Sequence, residues 1–361
     1  MALAIIIGVG TGYVVTSTAT TTTTIAATST TTSTTIAPER HQVGWTIVSA
    51  SGRGVMVDIR NIDIGGVIYR AVRLRARTTL LHWHVGAGDP TLWAKAPPDA
   101  GPKIDWSTEG RAGVIAVFNG GFKQAAGAGG AVVDGLTLNA LVKGDMTIVL
   151  DRGGHWEMGV WGTTGFPTAG FNPIAYRQNL KPLVWGGRPT AASASPNGNI
   201  WGSPLHYVPQ QPRTGLGVDA QGNLIYVASM QPALAHPLAQ ALAAAGAVTG
   251  MELDINPFWP ILGASSAPIH RPGGTYAVQL VNAQHSPNIY DAGWERDFFV
   301  ALAEPSPWTC NWESAGLRGS VKGVQPQPIH LVGQGCPIAR PHHAAAPTTA
   351  TTPPSTTVAG Q

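Results

Sequence analysis

Three short segments hold the residue types that most readily bind anions or transfer protons: Ala116–Phe122, Arg213–Asp219 and Met251–Asn256. In each of them an apolar run meets a polar or glycine-rich turn. This is how a buried strand delivers a functional side chain to the edge of a sheet. Although the segments lie far apart in the chain, we expect them to converge on one composite site, with their functional atoms within about 10 Å of one another.

The candidate acid–base residues are Glu252 and Asp254. They stand two positions apart on a predicted strand, so both side chains are expected on one face, with their Cα atoms about 7 Å apart. Carboxyl groups separated by roughly 5–9 Å are the pair that catalyses glycoside hydrolysis. A structural ion pair between these acids and Arg213 is the alternative, and the spacing leaves both interpretations open.

Anion binding is the second chemistry that these segments predict. The planar guanidinium of Arg213 suits bidentate binding of a phosphate or a carboxylate. Asn119, together with the backbone amides of Gly120 and Gly121, predicts a small turn that accepts an anion, and Lys123 places a positive charge next to it. An isolated Asn-Gly-Gly is common in tight turns, so the motif gains meaning only beside the other two segments.

Metal and cofactor sites are not predicted. His82 and His84 share one face of a predicted strand, but a third ligand is not close in the sequence. The chain has no Gly-x-Ser-x-Gly, no Walker loop and no dinucleotide fingerprint. We therefore predict an activity that needs no cofactor.

The formal net charge of +3 does not indicate a nucleic-acid partner. In the densest basic stretch, Arg73, Arg75 and Arg77 alternate with apolar residues, as on a half-buried strand. This pattern favours a solvated arginine face over a phosphate-binding stripe. We predict that the protein binds no nucleic acid.

Composition divides the chain into four parts. Residues 1–15 are an apolar segment, residues 16–42 a Thr-rich stalk, residues 43–340 the folded domain and residues 341–361 an Ala/Pro/Thr tail. The stalk and the tail lack the apolar residues needed to offset the entropy of ordering, so we predict that both are disordered.

The first residues predict export. The apolar run at the N-terminus is shorter than the roughly 20 residues of a membrane-spanning helix, and it has no Lys or Arg before it. A signal peptide and a marginal membrane tether both remain open. Either one places the domain outside the cell or in the cell envelope. In an exported protein the two cysteines, Cys310 and Cys336, are predicted to form a disulfide.

The predicted fold class is α+β, a single large domain with a mostly antiparallel sheet and few helices. Hairpin turns connect most of the predicted strands. One helix, Leu238–Ala245, is predicted between the strands Asn223–Ser229 and Val248–Leu253, whereas the long stretch Gly162–Pro212 is predicted to be mostly irregular.

Taken together, the three segments resemble the phosphodiester glycosidases, the domain family that includes the lysosomal uncovering enzyme. Members of this family have a strand that ends in Asn-Gly-Gly and an aromatic residue, here Asn119–Phe122, followed by an Arg-Thr segment that enters a Gly-rich hairpin, here Arg213–Gly217. A helix then leads to a strand that ends in Leu-Asp, here Leu253–Asp254. The resemblance covers roughly residues 114–263. The glycine-rich segment that follows the Asp in the family is replaced here by Ile255–Trp259, whose proline and aromatic residues cannot form a glycine cradle.

The resemblance implies an exported hydrolase that cleaves the bond between a sugar's anomeric carbon and the phosphate of a diester in a carbohydrate or phosphoglycan. It implies that Arg213 holds the phosphate, that Asp254 stabilises the oxocarbenium ion or activates water, and that Glu252 acts as acid or base or orients Arg213. In this hydrolase hypothesis the other substrate-binding residues are Asn119, Gly120, Gly121, Lys123, Thr214, Asn256 and Trp259, with Phe258 as a second wall of the sugar subsite.

A non-catalytic glycan- or cell-wall-binding module on a flexible stalk is the alternative function. The altered third segment and the 12 Trp residues of the chain motivate it. Such a module could place Asn119, Arg213 and Asp254 apart and line a shallow groove with Trp side chains.

Overall fold

The computed structural model of this protein describes residues 44–90, 100–195, 198–280, 282 and 284–303. The chain divides into two compact units, Met1–Gln42 and Val43–Gln361, and every described residue belongs to the second. The apolar N-terminal segment, the Thr-rich stalk, both cysteines and the C-terminal tail lie outside the described residues, so the predictions made on them stay predictions. None of the helices within the described ranges is long and apolar enough to cross a membrane.

Strands dominate the described chain. The first nine are β1 (Thr46–Ser51), β2 (Gly54–Ile64), β3 (Val67–Leu74), β4 (Leu80–His84), β5 (Val114–Asn119), β6 (Ala131–Val133), β7 (Leu136–Asn139), β8 (Met146–Asp151) and β9 (Trp156–Val160). The others are β10 (Pro173–Gln178), β11 (Val184–Trp185), β12 (Arg188–Pro189), β13 (Gln211–Asp219), β14 (Leu224–Ala233), β15 (Ala247–Ile255), β16 (Leu262–Ile269), β17 (Val278–Leu280) and β18 (Phe298–Leu302). The helices of the described residues are short: α1 (Glu109–Ala112), α2 (Ala235–Ala244) and α3 (Ile289–Ala292).

These strands form three sheets. The largest has the order β1-β2-β3-β14-β13-β15-β11-β12, and the two smaller ones have the orders β7-β6-β10-β8-β9 and β17-β16-β5-β18-β4. All pairings between the described strands are antiparallel. The prediction of a mostly antiparallel, sheet-rich fold with few helices is therefore confirmed.

The strand β5 lies in the centre of its sheet, between β16 and β18. All six of its residues are buried, and its side chains contribute to two hydrophobic clusters. A strand covered on both faces is apolar throughout rather than alternating. This burial fixes the strand whose last residue is Asn119, at the start of the Asn-Gly-Gly turn.

The glycine-rich start of β13 is a packing surface for α2 and β15. A Cβ atom on Gly215 would come within 2.8 Å of Leu242 Cδ1 in α2, and one on Gly217 within 2.7 Å of the Ala247 Cβ. Because only glycine leaves room for such close approach, these residues position the helix on the sheet.

The structure corrects three predictions about local structure. The stretch predicted to be irregular contains β10, which pairs with both β6 and β8. The sequence did not predict β10, because this strand begins with a proline and its apolar and polar residues do not alternate strictly. The helix α2 begins three residues earlier than predicted, with Pro237 in its first turn, where the missing N–H costs no hydrogen bond.

Of the three alternating arginines predicted to form a solvated face, Arg77 is exposed, whereas Arg73 in β3 and Arg75 just after it are not. Arg73 and Arg75 are buried, and both donate to the carboxylate of Asp58, which stands directly opposite Arg73 on β2. The guanidinium of Arg73 also lies over the ring of Trp45, 4.1 Å from its centroid. These charges can be buried because Asp58 on the neighbouring strand pairs with them. The alternation of residues within β3 cannot reveal such a partner.

Candidate active site

The side chain of Asn119 joins two sheets at the end of β5. Its Nδ2 donates to Thr214 Oγ1 (2.9 Å) and to the carbonyl of Gly120 (3.0 Å). Its Oδ1 accepts from the Tyr226 hydroxyl (2.7 Å) and from the backbone N–H of Ile261 (3.2 Å). The amide is therefore fully bonded to the protein, and its position supports a structural role in forming the site rather than direct contact with a substrate.

Hydrogen bonds connect all three of the segments singled out in the sequence. Beyond its bond to Asn119, Thr214 donates its hydroxyl to the carbonyl of Asp254 (2.7 Å). The backbone N–H of Asp254 in turn donates to the carbonyl of Gly120 (3.1 Å). Asn119, Thr214 and Asp254 are thus brought together.

A β-bulge separates the two candidate carboxylates. Arg213 on β13 pairs with Ile255, and Gly215 pairs with Glu252, so β15 contains one more residue than β13 over the same stretch. A bulge interrupts the alternation of side chains, which removes the basis for placing Glu252 and Asp254 on one face. Each carboxylate instead binds a different arginine.

Arg213 is a buried ion-pair partner of Glu252. Its Nη1 donates to Glu252 Oε1, and both side chains are at most 1% exposed. Its other recorded hydrogen bonds are donated to backbone carbonyls, those of Ala233, Trp201 and Pro209. The structure therefore agrees with the ion-pair interpretation for Arg213. Its guanidinium contacts protein atoms, whereas the other interpretation placed a phosphate there.

Glu252 is completely buried, and its Oε2 has no hydrogen-bond partner among the described residues. Burial raises the pKa of Glu252 to about 7, against the opposing charge of Arg213. A carboxyl group in this setting is half protonated near neutral pH.

Asp254 binds Arg296, a residue that none of the three segments contains. Arg296 Nε donates to Asp254 Oδ2 (3.0 Å), and its Nη2 donates to the same oxygen. On its other side, Arg296 Nη1 donates to Asp89 Oδ2 (2.9 Å). We call these three residues the Asp254–Arg296–Asp89 array. Side-chain exposure rises along it, from 4% at Asp254 through 5% at Arg296 to 18% at Asp89, so the array leads from the strand end towards solvent.

The protonation of Asp254 is set by burial. Burial raises the pKa of Asp254 to about 7, although the Arg296 guanidinium opposes this shift. Burial also raises the pKa of Asp89, with Arg296 as the largest opposing influence. A carboxyl group with a pKa near the working pH can take part in acid–base or charge-stabilising chemistry.

Asp297 stabilises the Asn-Gly-Gly turn by accepting hydrogen bonds from the backbone amides that were predicted to bind an anion. The N–H of Gly120 donates to the Asp297 carbonyl (2.8 Å), and the N–H of Gly121 lies 3.4 Å from Asp297 Oδ2. The next amide, that of Phe122, donates to Asn179 Oδ1 (3.0 Å). The turn therefore binds a carboxylate and an amide of the protein itself.

Asp297 is also the partner of a second buried arginine. Arg177 donates to both carboxylate oxygens, from Nε at 2.7 Å and from Nη2 at 3.0 Å, and Trp83 Nε1 donates to Oδ2 at 2.9 Å. The side chains of Arg177 and Asp297 are 1% and 0% exposed. Such a bidentate pair gives the turn a rigid base.

Sequence reasoning missed Asp89, Arg177, Arg296 and Asp297. The sequence does contain a signal for Arg296 and Asp297. They are charged residues that directly precede the apolar run of the buried strand β18. Arg177 lies in the unpredicted strand β10, and Asp89 lies in a loop without a motif.

The remaining predicted substrate residues have different surroundings. Lys123 is exposed, and its charge lowers the pKa of Asp89. Asn256 adopts a left-handed conformation (φ 78°), accepts from the N–H of Leu205 (2.8 Å) and donates to the carbonyl of Ser203 (3.4 Å), so it fastens a loop. Trp259 is half-buried, and the Arg296 guanidinium lies 5.0 Å from its ring centroid.

Trp259 belongs to a partly exposed aromatic cluster. Its ring centroid lies 6.3 Å from that of Phe258 and 6.1 Å from that of Trp294, and His285 lies 4.4 Å from Trp294. Because Arg296 contacts this cluster, aromatic surface lies directly beside the Asp254–Arg296–Asp89 array.

His82 and His84 bind a carboxylate. His82 Nδ1 and His84 Nε2 each lie 2.9 Å from Glu109 Oε1, and His84 Nδ1 lies 2.9 Å from the carbonyl of Gly101. Burial acts to raise the pKa of Glu109, but the His84 charge and the hydrogen bonds to the two rings outweigh it and lower this pKa to about 2. The cluster is buried and joins β4 to α1.

Gly120→Ala is expected to lower the free energy of unfolding by roughly 1–3 kcal/mol, or more if the turn cannot shift. A Cβ at this position would come within 2.2 Å of Asp297 Oδ2 and 2.6 Å of the Asp297 carbonyl oxygen. Urea unfolding measures the effect. Gly52→Ala is the control, since nothing lies within 4 Å of its Cβ position, and its change should stay within about 0.5 kcal/mol. Equal stability of the two variants would contradict the packing argument.

No protein-family model and no curated protein matches this chain. Three solved structures are distantly similar. The first is the zebrafish N-acetylglucosamine-1-phosphodiester alpha-N-acetylglucosaminidase catalytic domain, auto-inhibited by its pro-peptide, with a TM-score of 0.43, 14% identity and coverage of 72% of this chain and 87% of that one. The second is a hypothetical protein from Synechocystis (TM-score 0.41, 12% identity, 69% and 62% coverage). The third is a protein from Burkholderia pseudomallei K96243 (TM-score 0.34, 12% identity, 71% and 76% coverage). With all three TM-scores below 0.5, these similarities place the chain in no family and assign it no activity.

Proposed function

We propose that this protein is a hydrolase that cleaves the bond between a sugar's anomeric carbon and the phosphate of a diester. One observation supports this most directly: the three family-like segments meet at Asp254, a carboxyl group with a pKa near 7 that is bonded to Arg296. The proposal includes export to the cell envelope, which rests on the apolar N-terminal segment and the Thr-rich stalk.

This reaction depends more on charge stabilisation than on acid catalysis, because a phosphate monoester is a good leaving group. The bond from the anomeric carbon to the phosphate oxygen breaks, and the electron pair leaves with the phosphate. Water supplies a hydroxyl to the anomeric carbon and gives up one proton. In this proposal ionised Asp254 stabilises the oxocarbenium ion or accepts that proton.

The phosphate position is assigned to Arg296 and Lys123 instead of Arg213. Arg296 is already within hydrogen-bonding distance of Asp254, and Lys123 is exposed and electrostatically close to Asp89. Lys123 is exposed, and Arg296, although itself buried, contacts Asp89 at the solvent end of the array. Arg213 keeps its structural role as the partner of Glu252.

The sugar ring is assigned to the aromatic cluster. Trp259 and Phe258 are half-buried, so part of each ring remains open to a ligand. Apolar faces of a pyranose pack well on such rings, while Asp254 can approach the anomeric carbon from the side of Arg296. Phe258 and Trp259 are also the two walls expected from the sequence.

The direct test is to incubate the purified protein with a panel of sugar-1-phosphodiesters and to measure released sugar over a pH series. Because burial raises the pKa of Asp254 to about 7 and the ionised form is the active one, kcat should rise as the pH rises through about 7. Below that value it should fall by about tenfold per pH unit.

A control variant tests whether the pH midpoint of kcat belongs to Asp254. Glu252 has a similarly raised pKa but faces Arg213, so Glu252→Gln should keep the same pH midpoint. A rate independent of pH between about 5.5 and 8.5, or a midpoint that disappears in Glu252→Gln, would contradict the assignment to Asp254. Absence of sugar release from every diester would contradict the proposed reaction.

A further inference from the structure

One carboxylate next to the proposed phosphate position has no part in the proposed reaction. Asp89 is the most exposed member of the array, and its Oδ2 accepts from Arg296 Nη1 at 2.9 Å. Its backbone is fixed as well, because its N–H donates to the carbonyl of Glu295 (3.0 Å). The protein thus holds a negative charge in a defined place at the solvent end of the array.

Charges of both signs act on Asp89, while burial is the largest influence and raises its pKa. Three cations, Arg296, Lys123 and Arg177, each act on this carboxyl group so as to favour its ionised form, whereas Asp297 and burial act against it. Arg296 and Arg177 have carboxylate partners of their own, but Lys123 is exposed and available to a ligand from solvent. A phosphate attracted by these cations therefore arrives beside a carboxylate that is already there.

The charge of the ligand then decides how strongly Asp89 opposes it. A phosphate oxygen bonded to Arg296 would share that guanidinium with Asp89, which brings the two anions to within about 5 Å. A phosphodiester carries one negative charge at neutral pH. A phosphomonoester carries nearly two, since its second pKa is about 6. Repulsion by Asp89 is therefore about twice as large for the monoester.

We propose that Asp89 is a specificity-determining residue that makes this site prefer phosphodiesters over phosphomonoesters by charge repulsion. The inference rests on the proposed function and deepens it. Hydrolysis of a diester at the anomeric carbon converts the bound phosphodiester into a phosphomonoester, so the same repulsion favours departure of the product.

Binding of two small esters tests this inference without any turnover. Dimethyl phosphate carries one charge and methyl phosphate carries nearly two at pH 8, and phosphorus NMR titrations at one fixed ionic strength give both dissociation constants. The wild-type protein is expected to bind dimethyl phosphate more tightly. Asp89→Asn should shift the ratio of the two affinities by about 10²-fold towards methyl phosphate, as expected for one unit charge at this distance near a protein surface.

Two further variants make the test specific. Asp89→Glu keeps the charge and should keep the wild-type preference. Asp63→Asn removes one unit of charge from an exposed turn and leaves an oxygen to accept from the Gly66 N–H, so it should leave the ratio unchanged. A thermal melt of each variant shows that it is folded.

An unchanged ratio in Asp89→Asn, or an equal shift in Asp63→Asn, would overturn the role of Asp89. Failure of dimethyl phosphate to bind the wild-type protein, or of both esters to bind Asp89→Asn, would overturn it as well, because there would be no anion site to select. These outcomes are distinct from failure of the proposed reaction, which is judged by sugar release. A protein that releases sugar with an unchanged affinity ratio is a hydrolase whose selectivity does not come from Asp89.

Discussion

Asp254→Asn is expected to lower the turnover of a sugar-1-phosphodiester by about 10²-fold or more, while the protein stays folded. In the proposed reaction the carboxylate acts on charge that develops in the transition state, so its loss should reduce kcat more than substrate affinity. Folding should survive because Arg296 keeps its bond to Asp89, and the single Asn oxygen can still accept from Arg296.

Turnover and a thermal melt, measured side by side, separate catalysis from stability. Glu252→Gln is the matched control, since Glu252 is equally buried on the same strand but pairs with Arg213. It should affect the melt more than kcat. Near-normal turnover in Asp254→Asn, or a melting temperature far below that of the wild type, would show that Asp254 is a structural partner of Arg296 and not the catalytic carboxylate.

Asp297→Asn is expected to destabilise the protein by roughly 3–5 kcal/mol, because it leaves Arg177 as a buried charge without its carboxylate. Trp83 and the turn at Gly121 lose the same acceptor charge. Urea unfolding gives the free energy, with Asp151→Asn as control. The Asp151 ion pair with His155 has side chains 27% and 60% exposed, and removing it should cost less than about 1 kcal/mol.

A double variant keeps this prediction testable if Asp297→Asn does not fold. Arg177→Gln in the Asp297→Asn background removes the uncompensated charge and should recover part of the lost stability. A loss below about 1 kcal/mol in Asp297→Asn, or no recovery in the double variant, would mean that the pair does not support the turn.

The strands show what local pattern can predict. The uninterrupted apolar run of β5 and the alternation in β3 indicated buried and half-buried strands, and both pair as strands in the structure. The same reasoning placed Asn119 and Asp254 at strand ends, where Thr214 now connects them. Strand ends meet at sheet edges, so convergence of such residues is readable from one sequence.

The sequence did not show which charged residues would pair with one another. Asp254 pairs with Arg296, 42 positions later, and Arg177 with Asp297, 120 positions later. Sequence spacing suggested Arg213 for Asp254, because no local rule indicates that β15 has a bulge. Which arginine a carboxylate meets depends on how the sheets pack, and that is a property of the whole fold.

The pairing of β4 with β18 has a consequence for when the site can exist. The first and last strands of their sheet are neighbours, and residues 207 positions apart, Asp89 and Arg296, contact each other just beyond these strands. A chain emerging from the ribosome cannot complete the array until its last described strand has been synthesised. Contacts of such long sequence separation also form late in folding. The Asp254–Arg296–Asp89 array is thus assembled only after Arg296 has been synthesised, and shorter chains do not contain it.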